Sequence, residues 1–129
     1  MICVLNYGDI MYNKKLKKIC LDARNSRDSY EGLDEQFLCK EVSIAICLKA
    51  SEFGLVTCLC SGTFKDSDGQ PRDHYWVKHE EIIYDATADQ FDQNLEKIHI
   101  NHECNAFQYD EKDVLVFSKT LHEIIKKMK

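Results

Sequence analysis

The sequence predicts an α+β fold in which a central helix packs against an antiparallel sheet. Residues 35–53 form one long, largely apolar segment that is typical of a buried helix. Residues 55–64, 73–78 and 81–86 are short segments rich in β-branched and aromatic residues, which is typical of strands. The chain of 129 residues contains no linker, repeat or low-complexity stretch and is long enough for its own hydrophobic core. We therefore expect a single domain over residues 1–129.

The predicted helix carries a cysteine near its start. Asp34 is a candidate N-cap, and Gly54 suits the position that follows the last helical residue. Cys39 lies close to the N-terminal end, where the helix dipole lowers the pKa of a thiol from about 8.5 towards the reactive range. The dipole has less effect if Cys39 lies in the second turn. Cys39 is the candidate nucleophile.

A predicted hairpin places a histidine beside a carboxylate. If the strands on either side of the dipeptide His79-Glu80 pair with the turn centred on it, His74 stands directly opposite Asp85. Cross-strand partners lie roughly 5 Å apart at Cβ and point to the same face. A histidine oriented by a carboxylate can activate a cysteine, so Cys39, His74 and Asp85 together predict a nucleophilic triad.

Each of the three residues also has an ordinary structural explanation. A cysteine on a buried helix usually packs in the core, and a histidine at a strand start is usually a surface or satisfied residue. An aspartate that ends a strand often only caps a turn. Their agreement on one constellation is what favours a catalytic role.

The order of these motifs resembles that of a known enzyme superfamily. The helix-borne Cys39 is followed by a strand at 54–62, by the His-Tyr-Trp-Val run at 74–77 and by the Asp-Ala-Thr run at 85–87. This order resembles the transglutaminase-like branch of the papain-like cysteine hydrolases. The segment 85–91 looks especially like small bacterial members, some of which are related to effector and toxin deamidases.

The resemblance implies a papain-like or transglutaminase-like core and a role for each residue. Cys39 would be the nucleophile, His74 the general base and acid, and Asp85 the residue that orients His74. An oxyanion donor is also needed, and Gln36 or the backbone N–H of Cys39 could supply it. Many papain-like enzymes place their glutamine further upstream than Gln36. This chemistry requires no metal and no cofactor.

The expected activity is hydrolysis of an amide bond in a protein or peptide through a thioester, as in a peptidase or a glutamine deamidase. Transfer to an amine, as in a transglutaminase, stays open. A binding or inhibitor domain that kept the fold and lost the chemistry is another alternative. A structural zinc site is the remaining rival. Its potential ligands are Cys58, Cys60, His74, His79, His99, His102 and Cys104.

Composition limits the partners. Seventeen basic and twenty-two acidic residues give a net charge of −5, which argues against nucleic acid. The basic runs at 14–18 and 126–129 are expected to be solvated helix faces. No segment is apolar enough to span a membrane, and residues 1–5 lack the features of a signal peptide. Seven cysteines without framework spacing favour a reducing cytoplasm, with export as an effector left open.

The remaining segments predict further elements. Residues 11–24 have the pattern of an amphipathic helix, and residues 25–34 that of a loop. A strand is possible at 96–101, and residues 113–117 begin either a strand or a helix. A last helix is expected to run to about Lys127.

Overall fold

The chain folds as an α+β protein in a computed structural model that describes residues 12–29 and 35–118 together with 124, 127 and 128, and only the backbone of 35–38. The helices are α1 (Lys14–Asp28) and α2 (Glu35–Glu52). The strands are β1 (Thr57–Lys65), β2 (Pro71–His79), β3 (Ile82–Asp85), β4 (His99–His102) and β5 (Tyr109–Phe117). Single 3₁₀ turns lie at Ala88–Gln90 and Glu103–Asn105. Residues 124, 127 and 128 are helical, and the rest of the predicted last helix lies outside the described residues.

The sheet is antiparallel throughout and has the strand order β4-β3-β2-β1-β5. The two helices cover one face, where Ile46 of α2 joins Val77 and Tyr84 in the main core. Side chains alternate along a strand, so Trp76 lies on the other face with Cys60 and Ile83. The predicted class, a helix carrying Cys39 on an antiparallel sheet, is confirmed. None of the helices in the described ranges is long and apolar enough to cross a bilayer.

Helix α1 extends further than the sequence predicts. It begins after Asn13, whose side chain accepts a hydrogen bond from the Leu16 N–H at 2.9 Å. The predicted end at residue 24 is wrong, because the helix continues to Asp28. The Arg24 Nε donates to Asp28 Oδ1 at 2.9 Å, an i,i+4 pair that stabilises this last turn. Part of the predicted loop 25–34 is therefore helical.

Helix α2 ends where the sequence predicts. The Leu55 N–H bonds the Ala50 carbonyl at 3.0 Å and the Gly54 N–H bonds that of Ser51 at 3.1 Å, which is the Schellman pattern. Gly54 has a φ of +77°, a conformation that glycine adopts without strain. The predicted N-cap, Asp34, lies outside the described residues.

The predicted register of the β2–β3 hairpin is wrong by two residues. The turn is Glu80-Glu81, both with positive φ (+49° and +69°), and it pairs His79 with Ile82. His79 belongs to the strand because its buried ring bonds the Val56 carbonyl at 2.7 Å. Neither residue of the turn is a glycine or asparagine, the residues that usually indicate such a turn in a sequence. The sequence pattern therefore favoured His79-Glu80, which begins one residue earlier.

The outer strands complete the sheet. β5 begins at Tyr109, four residues before the predicted segment, and it is a strand rather than a helix start. It pairs with β1 across a bulge at Gly62, where a Cβ would collide with the backbone carbonyl of Asp110. β4 covers His99–His102, later than the predicted 96–101.

Candidate functional site

A buried histidine–aspartate pair lies where β2 and β3 separate. His74 Nε2 and Asp85 Oδ2 are 2.7 Å apart, and both residues are 1% exposed. The ladder between the strands stops at the Val77–Tyr84 pair, so Asp85 reaches His74 diagonally rather than from directly opposite. The two residues share one face of adjacent strands, as the triad requires.

The Asp85 carboxylate has further donors. The Thr87 N–H bonds Oδ1 at 3.0 Å, which explains the Asp-x-Thr spacing, and the Tyr109 hydroxyl bonds Oδ2 at 2.7 Å. Burial raises the pKa of Asp85, but the charge and hydrogen bond of His74 and the bonds from Thr87 and Tyr109 lower it more. The net effect is a lowered pKa, which keeps this buried carboxylate ionised.

The same pairing acts on His74. Burial lowers the pKa of the imidazole, whereas the charge and hydrogen bond of Asp85, followed by a hydrogen-bonding and coulombic interaction with Cys39, raise it to about 9. An ionised carboxylate can only accept hydrogen bonds, so Nε2 carries a proton. The imidazolium form of His74 is therefore favoured at neutral pH.

Aromatic side chains hold the His74 ring on several sides. Phe91 and Phe64 meet it edge to face with centroids 5.2 and 5.7 Å away, and Trp76 stacks on it at 6.0 Å. These contacts fix the plane of the imidazole and exclude water from it. The ring orientation is set by packing as well as by Asp85.

Cys39 lies near the free nitrogen of this ring. His74 Nδ1 is buried without a hydrogen bond of normal geometry, yet the Cys39 thiol is close enough to contribute to the raised pKa of His74. Cys39 is 3% exposed and is the fifth residue of α2, in the second turn. The helix dipole acts weakly there, so His74 is the main group able to activate the thiol.

The sequence indicates two candidates for the oxyanion donor, the side chain of Gln36 and the backbone N–H of Cys39. Gln36 lies in the first turn of α2, but its side chain is outside the described residues. Only the first four N–H groups of a helix lack an acceptor within it. The N–H of Cys39, the fifth residue, is engaged in the helix and is a poor oxyanion donor.

A cleft of about 960 Å³ opens beside Cys39. Its lining includes Asp66, Asp68, Pro71, Arg72, Asp73, Tyr75, Gln90, Phe91, Asp92 and Gln93. The aspartates outnumber the single arginine, whose Nε already bonds Asp66 Oδ2 at 2.9 Å. The surface next to the thiol is therefore predominantly acidic.

Arg24, a buried residue of α1, connects that helix to the segment that follows Asp85. The two terminal guanidinium nitrogens of Arg24, Nη1 and Nη2, donate to the Asp89 carboxylate at 2.6 and 2.9 Å, and Nη1 also donates to the Ala86 carbonyl at 2.8 Å. The segment that follows Asp85 is thus held rigidly against the helix.

Four of the other cysteines are thiols of raised pKa. Burial raises the pKa of Cys20, Cys47, Cys58 and Cys60, in the case of Cys47 to about 12. Cys104 is disulfide-bonded, which the spacing of the cysteines in the sequence did not indicate.

The proposed zinc ligands do not converge. In the part of the chain that the structure describes, no three histidine, cysteine or acidic side chains are grouped to hold a metal ion. His79 bonds the Val56 carbonyl, and His102 Nδ1 accepts from the Cys104 N–H at 3.1 Å. These side chains have structural partners instead.

Comparison with protein-family models, with curated proteins and with solved structures gives no match for this chain. The likeness to transglutaminase-like hydrolases stays a prediction. Sequence patterns identified Cys39, His74 and Asp85, but not Tyr109, Arg24 or Gln90. Gln90 and Phe91 do fall within the 85–91 segment that carried the resemblance, which is the signal that pointed to them.

Proposed function

We propose that this protein is a cysteine hydrolase that attacks an amide carbonyl of a protein or peptide with the thiol of Cys39. The observation that carries the proposal is the buried hydrogen bond between His74 Nε2 and Asp85. This bond leaves the other ring nitrogen of His74, Nδ1, without a hydrogen-bond partner. Cys39 is close enough to this ring to help raise its pKa. The opening of a cleft beside the thiol supports it further.

The chemistry follows from the two ring nitrogens. In the resting site Cys39 has already given its proton to His74 Nδ1, and the resulting thiolate forms a bond to the substrate carbonyl carbon. As the intermediate collapses, the carbon–nitrogen bond breaks and Nδ1 returns the proton to the leaving amine. His74 then takes a proton from water, which releases the acid from the thioester. Asp85 stays ionised and stabilises the imidazolium throughout.

Thiol reactivity tests the proposal without knowledge of the substrate. Cys39 should react with iodoacetamide faster than Cys58, which is partly exposed but has a raised pKa. His74→Gln should slow labelling of Cys39 at about pH 6–7 by tenfold or more and leave Cys58 unchanged. Peptide mapping measures both sites in one sample. Should Cys39 react no faster than Cys58, the alternative of a binding domain without catalysis would replace the enzyme.

The reaction outcome requires candidate substrates. The acidic cleft favours basic segments, so a panel of lysine- and arginine-rich proteins is the rational choice. In intact-mass analysis, a gain of about one mass unit means glutamine deamidation, and fragments mean proteolysis. A covalent adduct with an added primary amine would indicate a transglutaminase. Cys39→Ser is the control that should abolish each of these changes.

A further inference from the structure

The proposed reaction requires a donor that the residues named so far do not supply. When a thiolate attacks a carbonyl, the oxygen becomes an anion, and hydrogen bonds from fixed donors stabilise it. The N–H of Cys39 is engaged in α2. His74 Nε2 donates to Asp85, and its Nδ1 serves the thiol and the leaving group.

We propose that Gln90 supplies this donor through its side-chain amide, an inference that rests on the proposed function. The Nε2 atom of Gln90 is buried and has no hydrogen-bond partner, and Gln90 lines the same cleft as Cys39. A buried N–H left unpaired costs about 1–3 kcal/mol, so proteins rarely retain one without a use for it. Rotation of the Gln90 side chain into the cleft would allow a substrate oxygen to satisfy it.

The other buried polar atoms without partners do not compete for this role. In the described part of the chain they are the hydroxyls of Ser51 and Thr57 and the Nδ1 of His74. Neither hydroxyl belongs to the lining of the cleft. The two unpartnered nitrogens, one on His74 and one on Gln90, are thus those associated with the candidate site.

Gln90 is held firmly with respect to the dyad. It ends the 3₁₀ turn Ala88–Gln90, and its N–H bonds the Thr87 carbonyl at 3.2 Å. The next residue, Phe91, packs against the His74 ring, and the preceding residue, Asp89, is fixed by the salt bridge from α1. A rigid backbone confines the reorganisation to the side chain of Gln90 when the oxyanion forms.

The role of Gln90 involves no proton transfer. Its neutral amide donates a hydrogen bond to the carbonyl oxygen, which gains the electron pair of the C=O bond as Cys39 attacks. The same pair reforms the double bond when the leaving amine departs with the proton from His74. Gln90 is therefore a catalytic residue whose loss should slow acyl transfer and spare thiol activation.

Two small probes separate these effects. Iodoacetamide alkylates a thiolate by direct displacement and forms no oxyanion, whereas p-nitrophenyl acetate acylates it through a tetrahedral oxyanion. Gln90→Ala should lower the acylation rate of Cys39 about tenfold or more and change its alkylation by less than about twofold. Gln70→Ala is the matched control, because Gln70 is exposed and does not line the cleft, and it should change neither rate.

A second variant guards against a folding defect. Gln90→Met keeps the side-chain length and lacks the donor, so it should reproduce the loss of acylation. Its thermal unfolding temperature should equal or exceed that of the wild type, because an unpaired polar group has been removed. Normal acylation in both variants would refute the role of Gln90 and leave the proposed function standing. A wild-type Cys39 that resists alkylation would overturn both proposals.

Discussion

Replacing Asp85 by asparagine tests the electrostatic basis of the site with little change of shape. His74 and Tyr109 donate to one carboxylate oxygen and Thr87 to the other. If the asparagine NH₂ replaces Oδ2, it faces the two donors His74 and Tyr109. If it replaces Oδ1, it faces the Thr87 N–H. Either orientation disrupts the network, so Asp85→Asn should cost about 1–3 kcal/mol in the free energy of unfolding.

The effect on reactivity is larger. The difference between a His74 pKa of about 9 and its ordinary 6.5 corresponds to roughly 3 kcal/mol, and Asp85 contributes most of the increase. Without that charge, burial should bring the pKa of His74 down to 6.5 or lower. The imidazolium that stabilises the Cys39 thiolate is then lost at neutral pH. We expect alkylation of Cys39 at pH 7 to fall by up to about 10²-fold.

The assay is the rate of iodoacetamide labelling of Cys39 between about pH 5 and pH 10, measured by peptide mapping. Asp92→Asn is the control, since this carboxylate also lines the cleft. Asp85→Asn should shift the labelling profile to higher pH, and Asp92→Asn should leave it in place. A folded Asp85→Asn protein with the wild-type profile would refute the assignment of Asp85 to His74.

Three further measurements address the supporting contacts. Tyr109→Phe removes a hydrogen bond to a charged group and should lower the free energy of unfolding by about 1.5–3 kcal/mol, measured by urea denaturation. Gly62→Ala should destabilise by about 1–3 kcal/mol because its Cβ meets backbone, and more than Gly69→Ala, whose Cβ meets only open space; equal losses would contradict this. Between pH 6.5 and about 9 the folded His74 keeps a proton that the unfolded chain loses, so its stabilisation, up to about 3 kcal/mol, is lost as pH rises. The stability difference between wild type and His74→Gln should therefore shrink across that window, and a constant difference would argue against the raised pKa.

The central part of the site was predictable even though the register was not. The turn lies one residue later than predicted, which displaces the pairing of the strands by two residues, and an even displacement of the pairing keeps each side chain on the same face of the sheet. His74 and Asp85 therefore still meet, as diagonal rather than direct partners. A displacement of the strand pairing by one residue would have placed His74 and Asp85 on opposite faces of the sheet.

Long-range contacts could not be predicted from local patterns. Tyr109 reaches Asp85 across 24 residues, and Arg24 reaches Asp89 across 65. Neither follows from periodicity, because each depends on how the outer elements fold over the sheet. The position of β5 beside β1 is likewise a tertiary property.

Tyr109 has a consequence for cooperativity. It starts the edge strand β5, which two strands separate from β3, and its hydroxyl bonds Asp85 at the end of β3. Edge strands often open locally, with little effect on the rest of a sheet. Here an opening of β5 removes the Tyr109 hydroxyl from the buried Asp85 carboxylate and exposes Phe64 and Trp76, against which the Tyr109 ring packs. The free energy of this local opening therefore includes part of the free energy that stabilises the His74–Asp85 pair. The beginning of β5 should therefore exchange its amide hydrogens as slowly as the interior strands do.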